Sequence, residues 1–481
     1  MRTPSATFAY TIFVGCLLLL VFWRPPTGFD SLTVGYGSHF PATRVDLAEV
    51  LTRVPPGHET FAWARDDGNE NGFVVLGTEA AFVEIDEAEL IDARTGKPLV
   101  GANEGHTFNL AVLKLPHGSR WGFLGVARGP TRRRSLIVVN GHESREQVLV
   151  AFGMNMSSDG TLHPVTVAQT LDLPMTPKKG CERFGHWVAT YGAEDPRLFW
   201  TDAGTPALTF ARNSDDDDTC RNLGFIADLR ELYPPLGDAI LPTGGVRAQS
   251  LKVDQHPGDN GMFELVRKHG QGYIEKNWVS FYPGALPRPD WVIPFVHYSL
   301  AADLSIEPTD IQLRRVVYED IPQAPSETLD CIQHNHWSWS SDHFHQATPL
   351  YRLTLCPRGC IPDEHNTVLF TLGQMEARPT YGKFLSTYNV SAPHNLISVG
   401  PQITFTGLDD VHHINYVLSL TPVEPADRYP SAELIPARVN HLPDHFFIDD
   451  DMLVAMGHTD DSMVTTVVPV REALGRQRMC Q

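Results

Sequence analysis

From about residue 72 onward the chain is built of short apolar runs, mostly β-branched or aromatic, each bounded by Gly, Pro, Asn or Asp. The runs at 73–76, 136–139, 148–152, 207–210, 291–296, 368–371, 452–456 and 464–468 all have this form. Such runs are too short for stable helices and long enough for strands. Helical stretches are scarce, with 228–232 and 470–476 the candidates. The expected class is therefore all-β. So many strands over roughly 400 residues exceed an ordinary sandwich, leaving two sandwiches or a β-propeller of repeated four-stranded blades. No exact internal repeat is visible, which argues against WD-type and kelch-type arrays. No Pro/Ser/Gly-rich linker divides the region either, so 72–481 reads as one domain.

Ahead of it, residues 8–23 form an apolar run with no ionisable group, between Arg2 and Arg24-Pro25-Pro26. This is near the lower limit of ~17 residues for a membrane-spanning helix. Arg-Pro-Pro is a poor cleavage context, which favours an uncleaved signal anchor over a cleaved signal peptide. Residues 1–7 would then be a cytosolic tail and 24–71 a stem. The flanking arginines leave the positive-inside rule nearly silent, so the cysteines and sequons must orient the chain. Apart from Cys16 in the apolar run, the cysteines are Cys181, Cys220, Cys331, Cys356, Cys360 and Cys480. That even set suits an oxidising lumen. Cys356 and Cys360 could close a small loop, and Cys181 with Cys220 could staple the segment between them; spacing alone does not fix the pairing. Asn155-Met-Ser and Asn389-Val-Ser are glycosylation acceptors in that compartment. The expected location is the Golgi or ER membrane, single-pass and type II, where the thinner bilayer suits a short anchor. A net charge of −19 argues against a nucleic-acid partner.

The densest chemistry lies in Tyr191-Gly-Ala-Glu194-Asp195-Pro196-Arg197. On a regular strand successive side chains point to opposite faces, so Glu194 and Asp195 are not expected to share one site. Pro196 has no N–H to give a ladder and marks an edge or strand start. Asp195 then sits at a strand mouth. The plain alternative is a turn in which Asp195 accepts backbone N–H groups and Arg197 pairs with Glu194.

Five segments recur at blade-length intervals: Phe108-Asn109-Leu-Ala-Val-Leu-Lys-Leu-Pro116 with the following Gly125-Val-Ala-Arg128; Gly192-Ala-Glu-Asp-Pro-Arg-Leu-Phe199; Glu275-Lys276-Asn277-Trp278; His345-Gln-Ala-Thr-Pro-Leu350; and Met456-Gly-His-Thr-Asp460. In this order, over about 105–470, they resemble the five-bladed β-propeller carbohydrate enzymes related to β-mannoside phosphorylases and β-1,2-mannosyltransferases. Glu-Asp-Pro-Arg and Glu-Lys-Asn-Trp are the specific parts. The first motif departs from the pattern, with Asn109-Leu-Ala where Pro-Ser commonly follows the Asn. The resemblance implies Asp195 as catalytic acid or base. The residue chemistry fits: inverting glycosyl transfer needs one positioned carboxyl group. Arg128, Arg197 and Lys276 could hold a phosphate group. Glu194, Asn109, Asn277, Trp278, His345 and Asp460 are the other candidate sugar-binding residues. The expected substrates are a glycan acceptor and a sugar-phosphate or sugar-nucleotide donor, with no cofactor and no resident metal.

Two features carry rival readings. His334-Asn-His-Trp-Ser-Trp-Ser-Ser-Asp-His-Phe-His345 could be a metal site or an aromatic sugar platform. Asp215-Asp-Asp-Asp218 could be the metal-binding acid cluster of a Rossmann-like nucleotide-sugar transferase. No alternating strand–helix units accompany that run, and it reads as a solvated hairpin tip. A luminal lectin-like propeller would keep the sugar-binding residues and drop catalysis.

Overall fold

Residues 60–64, 70–99, 106–132, 138–139, 142–143, 145–173, 190–215, 219–240, 261–269, 275, 277–299, 304–312, 315–322, 344–377, 380–408, 413–424, 427, 442–475 and 477–480 are described by the computed structural model. The anchor expected at 8–23, the tail at 1–7, Lys276, Cys181, Cys331, 216–218 and 334–343 lie outside them. Among the described residues no helix is long and apolar enough to cross a membrane.

The class is all-β. Successive strands pair antiparallel in five modules. The first comprises Phe108–Lys114, Phe123–Arg132, Arg145–Met156 and Gln169–Thr170. The second comprises Glu194–Trp200, Pro206–Asn213, Arg221–Ile226 and Met262–Arg267. Val279–Phe281, Phe295–Ser299, Leu304–Gln312 and Arg315–Asp320 make the third. In the fourth, Phe344–Gln346 and Tyr351–Thr354 both pair with Thr367–Ala377, which continues to Thr380–Asn389 and on to Leu396–Val399 and Ile403–Phe405. The fifth runs Asn415–Val423, Asp451–His458 and Ser462–Pro469, and its outer strand is Ala81–Val83. A strand from before the first module therefore completes the last.

The apolar cores follow the same cyclic order. One core lies between each consecutive pair of modules, and a fifth joins module five to module one. The leading strands are buried on both faces, and alternation divides their side chains between two cores. In Phe108–Lys114, Leu110 and Val112 enter the core shared with the fifth module, and Ala111 and Leu113 the core shared with the second. The second strand of the fifth module, Asp451–His458, is divided in the same way: Met452, Val454 and Met456 face the fourth module while Leu453 and Ala455 face the first. Double burial is why the runs are continuously apolar rather than alternating.

Several expectations change in detail. Thr60–Ala64 and Glu70–Leu76 are strands, and the latter pairs with Ile403–Phe405, so the segment expected to be stem contributes to a sheet. The run at 291–296 enters its strand only at Phe295, because Pro294 cannot donate to the ladder. The stretch 228–232 is a 3₁₀ turn at Leu229–Glu231 capped by the Asp228 side chain, and the α-helix lies just beyond at Pro234–Ile240, opened by prolines. Cys356 and Cys360 are bonded to each other, and Cys220 and Cys480 are disulfide-bonded as well. Both sequon asparagines, Asn155 and Asn389, are exposed.

Candidate active site

Asn109, Asp195, Asn277 and His345 lie at or just before the start of their modules' leading strands, and Asp460 lies in the turn after Asp451–His458. Among the described residues, six non-glycine positions have a left-handed backbone, and four of them are Asn109 (φ 55°), Asp195 (φ 50°), Asn277 (φ 67°) and Asp460 (φ 54°). Asn and Asp tolerate this region better than other L-residues, yet it still costs free energy. Strain of this kind collects at functional sites.

In two modules the left-handed residue coincides with a bulge. Phe108 pairs with Arg128 and Ala111 with Val126, so one extra residue is accommodated around Asn109. Glu194 pairs with Ala211 and Arg197 with Thr209, which places the same irregularity at Asp195-Pro196. A bulge bends its strand and re-aims a side chain. Pro196 fits there because the bulge asks no N–H of it. The result turns the two side chains toward each other: Asn109 Nδ2 donates to Asp195 Oδ1 at 3.1 Å.

The bulge also breaks the strict alternation expected of Glu194 and Asp195. Glu194 is buried, with Arg221 Nη2 at 3.0 Å from Oε2 and Arg128 Nη2 at 3.4 Å from Oε1. Arg128 also lies over the Phe108 ring, 4.9 Å from its centroid. Asp460 is exposed at the surface, yet partial desolvation raises its pKa, and the Asp195 and Glu194 carboxylates raise it further against the opposing charge of Arg128. Asp195, Glu194, Asp460 and Arg128 are therefore close enough to act on one another electrostatically.

Glycine makes two of the close approaches possible. A Cβ on Gly457 would stand 1.8 Å from Asn109 Oδ1, so only glycine lets the fifth module pass this close to the first. Gly192 has φ +120° and abuts Gln147 O, where the chain turns into the Glu-Asp-Pro-Arg strand.

Arg197 and Trp278 are not placed as expected. Arg197 is 1% exposed and does not pair with Glu194. Its Nε donates to Ala347 O (2.9 Å), Nη1 to Asp195 O (3.2 Å), and Nη2 to Asn277 Oδ1 (3.3 Å) and Tyr416 OH (3.0 Å). Trp278 is 1% exposed and lies in the core shared by modules two and three rather than on a rim. Its indole N–H donates to Glu275 Oε2 at 3.0 Å, and Tyr298 OH donates to the other oxygen at 3.0 Å. His345 stays partly open, stacked on Tyr416 with ring centroids 6.1 Å apart and edge-on to Tyr381 at 5.8 Å. Lys276 falls outside the described residues.

The site also uses residues that no motif announced. Arg221 braces Glu194 across the module, and Tyr416 OH donates to Asn277 Oδ1 at 2.8 Å. Tyr416 opens the leading strand of module five, as Asn109 and Asp195 open theirs; that shared position is the only signal in the sequence that could have found it.

Most of both rival sites, 216–218 and 334–343, lies outside the described residues. Asp215 is exposed and pairs with Arg212 Nη2 at 2.7 Å, and the rest of the acidic run lies outside the described residues. Among the described residues no group of His, Cys, Asp and Glu is arranged to hold a metal ion.

No family model matches the chain, and no curated protein matches it. Solved structures do. One is a candidate glycoside hydrolase from Bacteroides ovatus, at 12% identity and a TM-score of 0.40, covering 88% of this chain and 98% of that one. Another is the β-1,2-mannobiose phosphorylase from Listeria innocua in complex with β-1,2-mannobiose, at 11% identity and a TM-score of 0.34, covering 83% of this chain and 99% of that one.

Proposed function

We propose that the five modules are the blades of a five-bladed β-propeller, and that the chain catalyses inverting transfer of a glycosyl unit, mannosyl first among candidates, to or from a glycan. The observation that carries this reading is Asp195: a carboxyl group at the mouth, on a strained backbone, with Oδ1 held by Asn109. Inverting chemistry needs such a fixed acid or base. In synthesis Asp195 takes the proton of the acceptor hydroxyl as that oxygen attacks the anomeric carbon and the phosphate leaves. In phosphorolysis it gives a proton to the departing glycosidic oxygen as an oxygen of inorganic phosphate attacks the anomeric carbon from the opposite face. These are one role seen from two directions.

Arg128, beside the mouth, and Lys276 would hold the phosphate of a sugar-1-phosphate or sugar-nucleotide donor. Asn277, His345 and Asp460 would meet sugar hydroxyls. Glu194 serves instead to fix Arg128 and Arg221. The anchor at 8–23 would set the domain in a secretory lumen, a placement favoured by the disulfides and by the two exposed sequons.

The test offers the protein a panel of sugar nucleotides and sugar-1-phosphates with manno-oligosaccharide acceptors, and inorganic phosphate with manno-oligosaccharides, reading the product anomer by NMR. An inverted anomeric product is expected. Retention of configuration, or oligosaccharide binding without turnover of any donor, would overturn the assignment.

A further inference from the structure

We propose that Arg197 is the positioning residue of this site: it touches no substrate, and acts on the reaction by pinning the Asp195 peptide and fixing which way the Asn277 amide faces. The word reaction rests on the function proposed above; the geometry does not.

A guanidinium that is 1% exposed would ordinarily be neutralised by a carboxylate, because an unpaired buried charge is costly. No carboxylate accepts from Arg197 among the described residues. Its fork is held by four dipoles from four modules: the Asp195 carbonyl of the second, the Asn277 amide oxygen of the third, the Ala347 carbonyl of the fourth and the Tyr416 hydroxyl of the fifth. The first module reaches the same point through Asn109 and the Asp195 carboxyl. All five modules thus meet on Asp195 and Arg197.

Two consequences follow from donor and acceptor chemistry. Holding the Asp195 carbonyl fixes the peptide that leads to Pro196, and so braces on its C-terminal side the residue whose φ is 50°. At Asn277, Oδ1 accepts from both Arg197 Nη2 and Tyr416 OH. Two converging donors settle the amide orientation, with the oxygen toward Arg197 and Nδ2 away from it. Asn277 then meets a ligand only as a donor, and the group it recognises is an acceptor oxygen. Lysine cannot replace Arg197 here, since an ammonium lacks the planar fork that spans four acceptors.

The experiment compares Arg197→Lys, Arg197→Met and Tyr416→Phe in the full-length chain. Tyr416→Phe deletes one hydroxyl and keeps the ring, so it remains informative should an Arg197 variant fail to fold. Steady-state kinetics with inorganic phosphate and a manno-oligosaccharide are expected to show kcat falling ~10²-fold in both Arg197 variants, the scale of a small misplacement of a reacting group. KM for phosphate should be unchanged and lysine should give no rescue. Tyr416→Phe should lose ~10-fold in kcat, the worth of about one hydrogen bond. A raised KM for phosphate with kcat intact, or full rescue by lysine, would make Arg197 a phosphate ligand and overturn the proposal. If the wild-type chain turns over no donor, the functional reading fails by itself. The crystal structures of Tyr416→Phe and Arg197→Lys then decide: movement of Asp195 out of the left-handed region or of the Asn277 amide supports the proposal, and an unmoved pair refutes it.

Discussion

Asn109 and Asp195 stand 86 residues apart in sequence, yet Asn109 Nδ2 lies 3.1 Å from Asp195 Oδ1, each residue left-handed and each at a bulge in the leading strand of its module. The first module thereby aims the carboxyl group of the second. Neither bulge achieves this alone.

Asp195→Asn keeps an oxygen for Asn109 to donate to and removes the group that carries the proton. Turnover should fall by ~10²–10⁴-fold, the usual worth of general acid–base assistance, while oligosaccharide affinity measured by calorimetry stays near wild type. Asn109→Gly keeps the backbone conformation and removes only the amide, and should lose ~10–10²-fold through misorientation.

Gly457→Ala should reproduce the Asn109→Gly defect without touching either module's chemistry. The new methyl would lie 1.8 Å from Asn109 Oδ1 and 2.9 Å from its Cγ, so the amide must swing away. Overpacking of this kind typically costs ~1–3 kcal/mol. In the double variant Asn109→Gly/Gly457→Ala the side-chain clash is gone. Chemical denaturation should therefore show stability partly restored, with activity still low. Additive losses in both measurements would separate Gly457 from Asn109.

The sequence revealed most where one residue type could satisfy one physical demand. Strands such as Asp451–His458, sandwiched between two cores, must be continuously apolar, and that run was visible. Asp195 and Asn109 entered as candidates through the motifs they stand in, and the left-handed positions at bulges that they occupy suit few side chains besides Asn and Asp. Arg197 was visible as a residue and misleading in its role, since a motif cannot show whether a guanidinium points out of a pocket or beneath it. Arg221 left no local trace and Tyr416 only its place near the start of a strand, because each acts on a partner brought up by the fold from another strand. The run at 73–76 was visible as a strand, whereas Thr60–Ala64 fell in the segment expected to be stem, and its pairing rests on Glu70–Leu76.

The acidic run at 215–218 gives a prediction of the opposite kind. Asp215 is exposed and bonded to Arg212 on its own hairpin. Replacing all four aspartates with asparagine should leave turnover within about threefold, the range of a surface change away from the chemistry, and EDTA should not abolish it. Collapse under either treatment, followed in the same sugar-transfer assay, would restore the metal-dependent transferase.

The far ends of the leading strands carry a pH dependence of stability. Asp444 turns its carboxyl group inward to accept from Trp200 N at 2.9 Å, at the end of the strand that begins with Glu194 and Asp195. Nearby, Arg352 is bonded to Asp202 through both terminal nitrogens at 2.7 and 2.9 Å, and its charge opposes the burial of Asp444 only in part. Burial dominates, and the Asp444 pKa is pushed up to about 7. The unfolded chain titrates this group near ~3.9. Between these values the folded state holds a proton that the unfolded state has released, so the folded state binds more protons and stability falls as pH rises. The contribution is complete below about pH 4, declines toward pH 7 and is flat above. Asp450, buried beside Arg358 and raised to about 6, adds a slope of the same sign. The diagnostic quantity is therefore the difference between wild type and Asp444→Asn, which keeps an oxygen for Trp200 N and cannot ionise. Melting temperatures measured from pH 4.5 to 8 should fall more steeply in the wild type, by a few degrees over the range for a domain of this size. Parallel curves for the two proteins would show that Asp444 carries an ordinary pKa, and that the Arg352 charge offsets its burial.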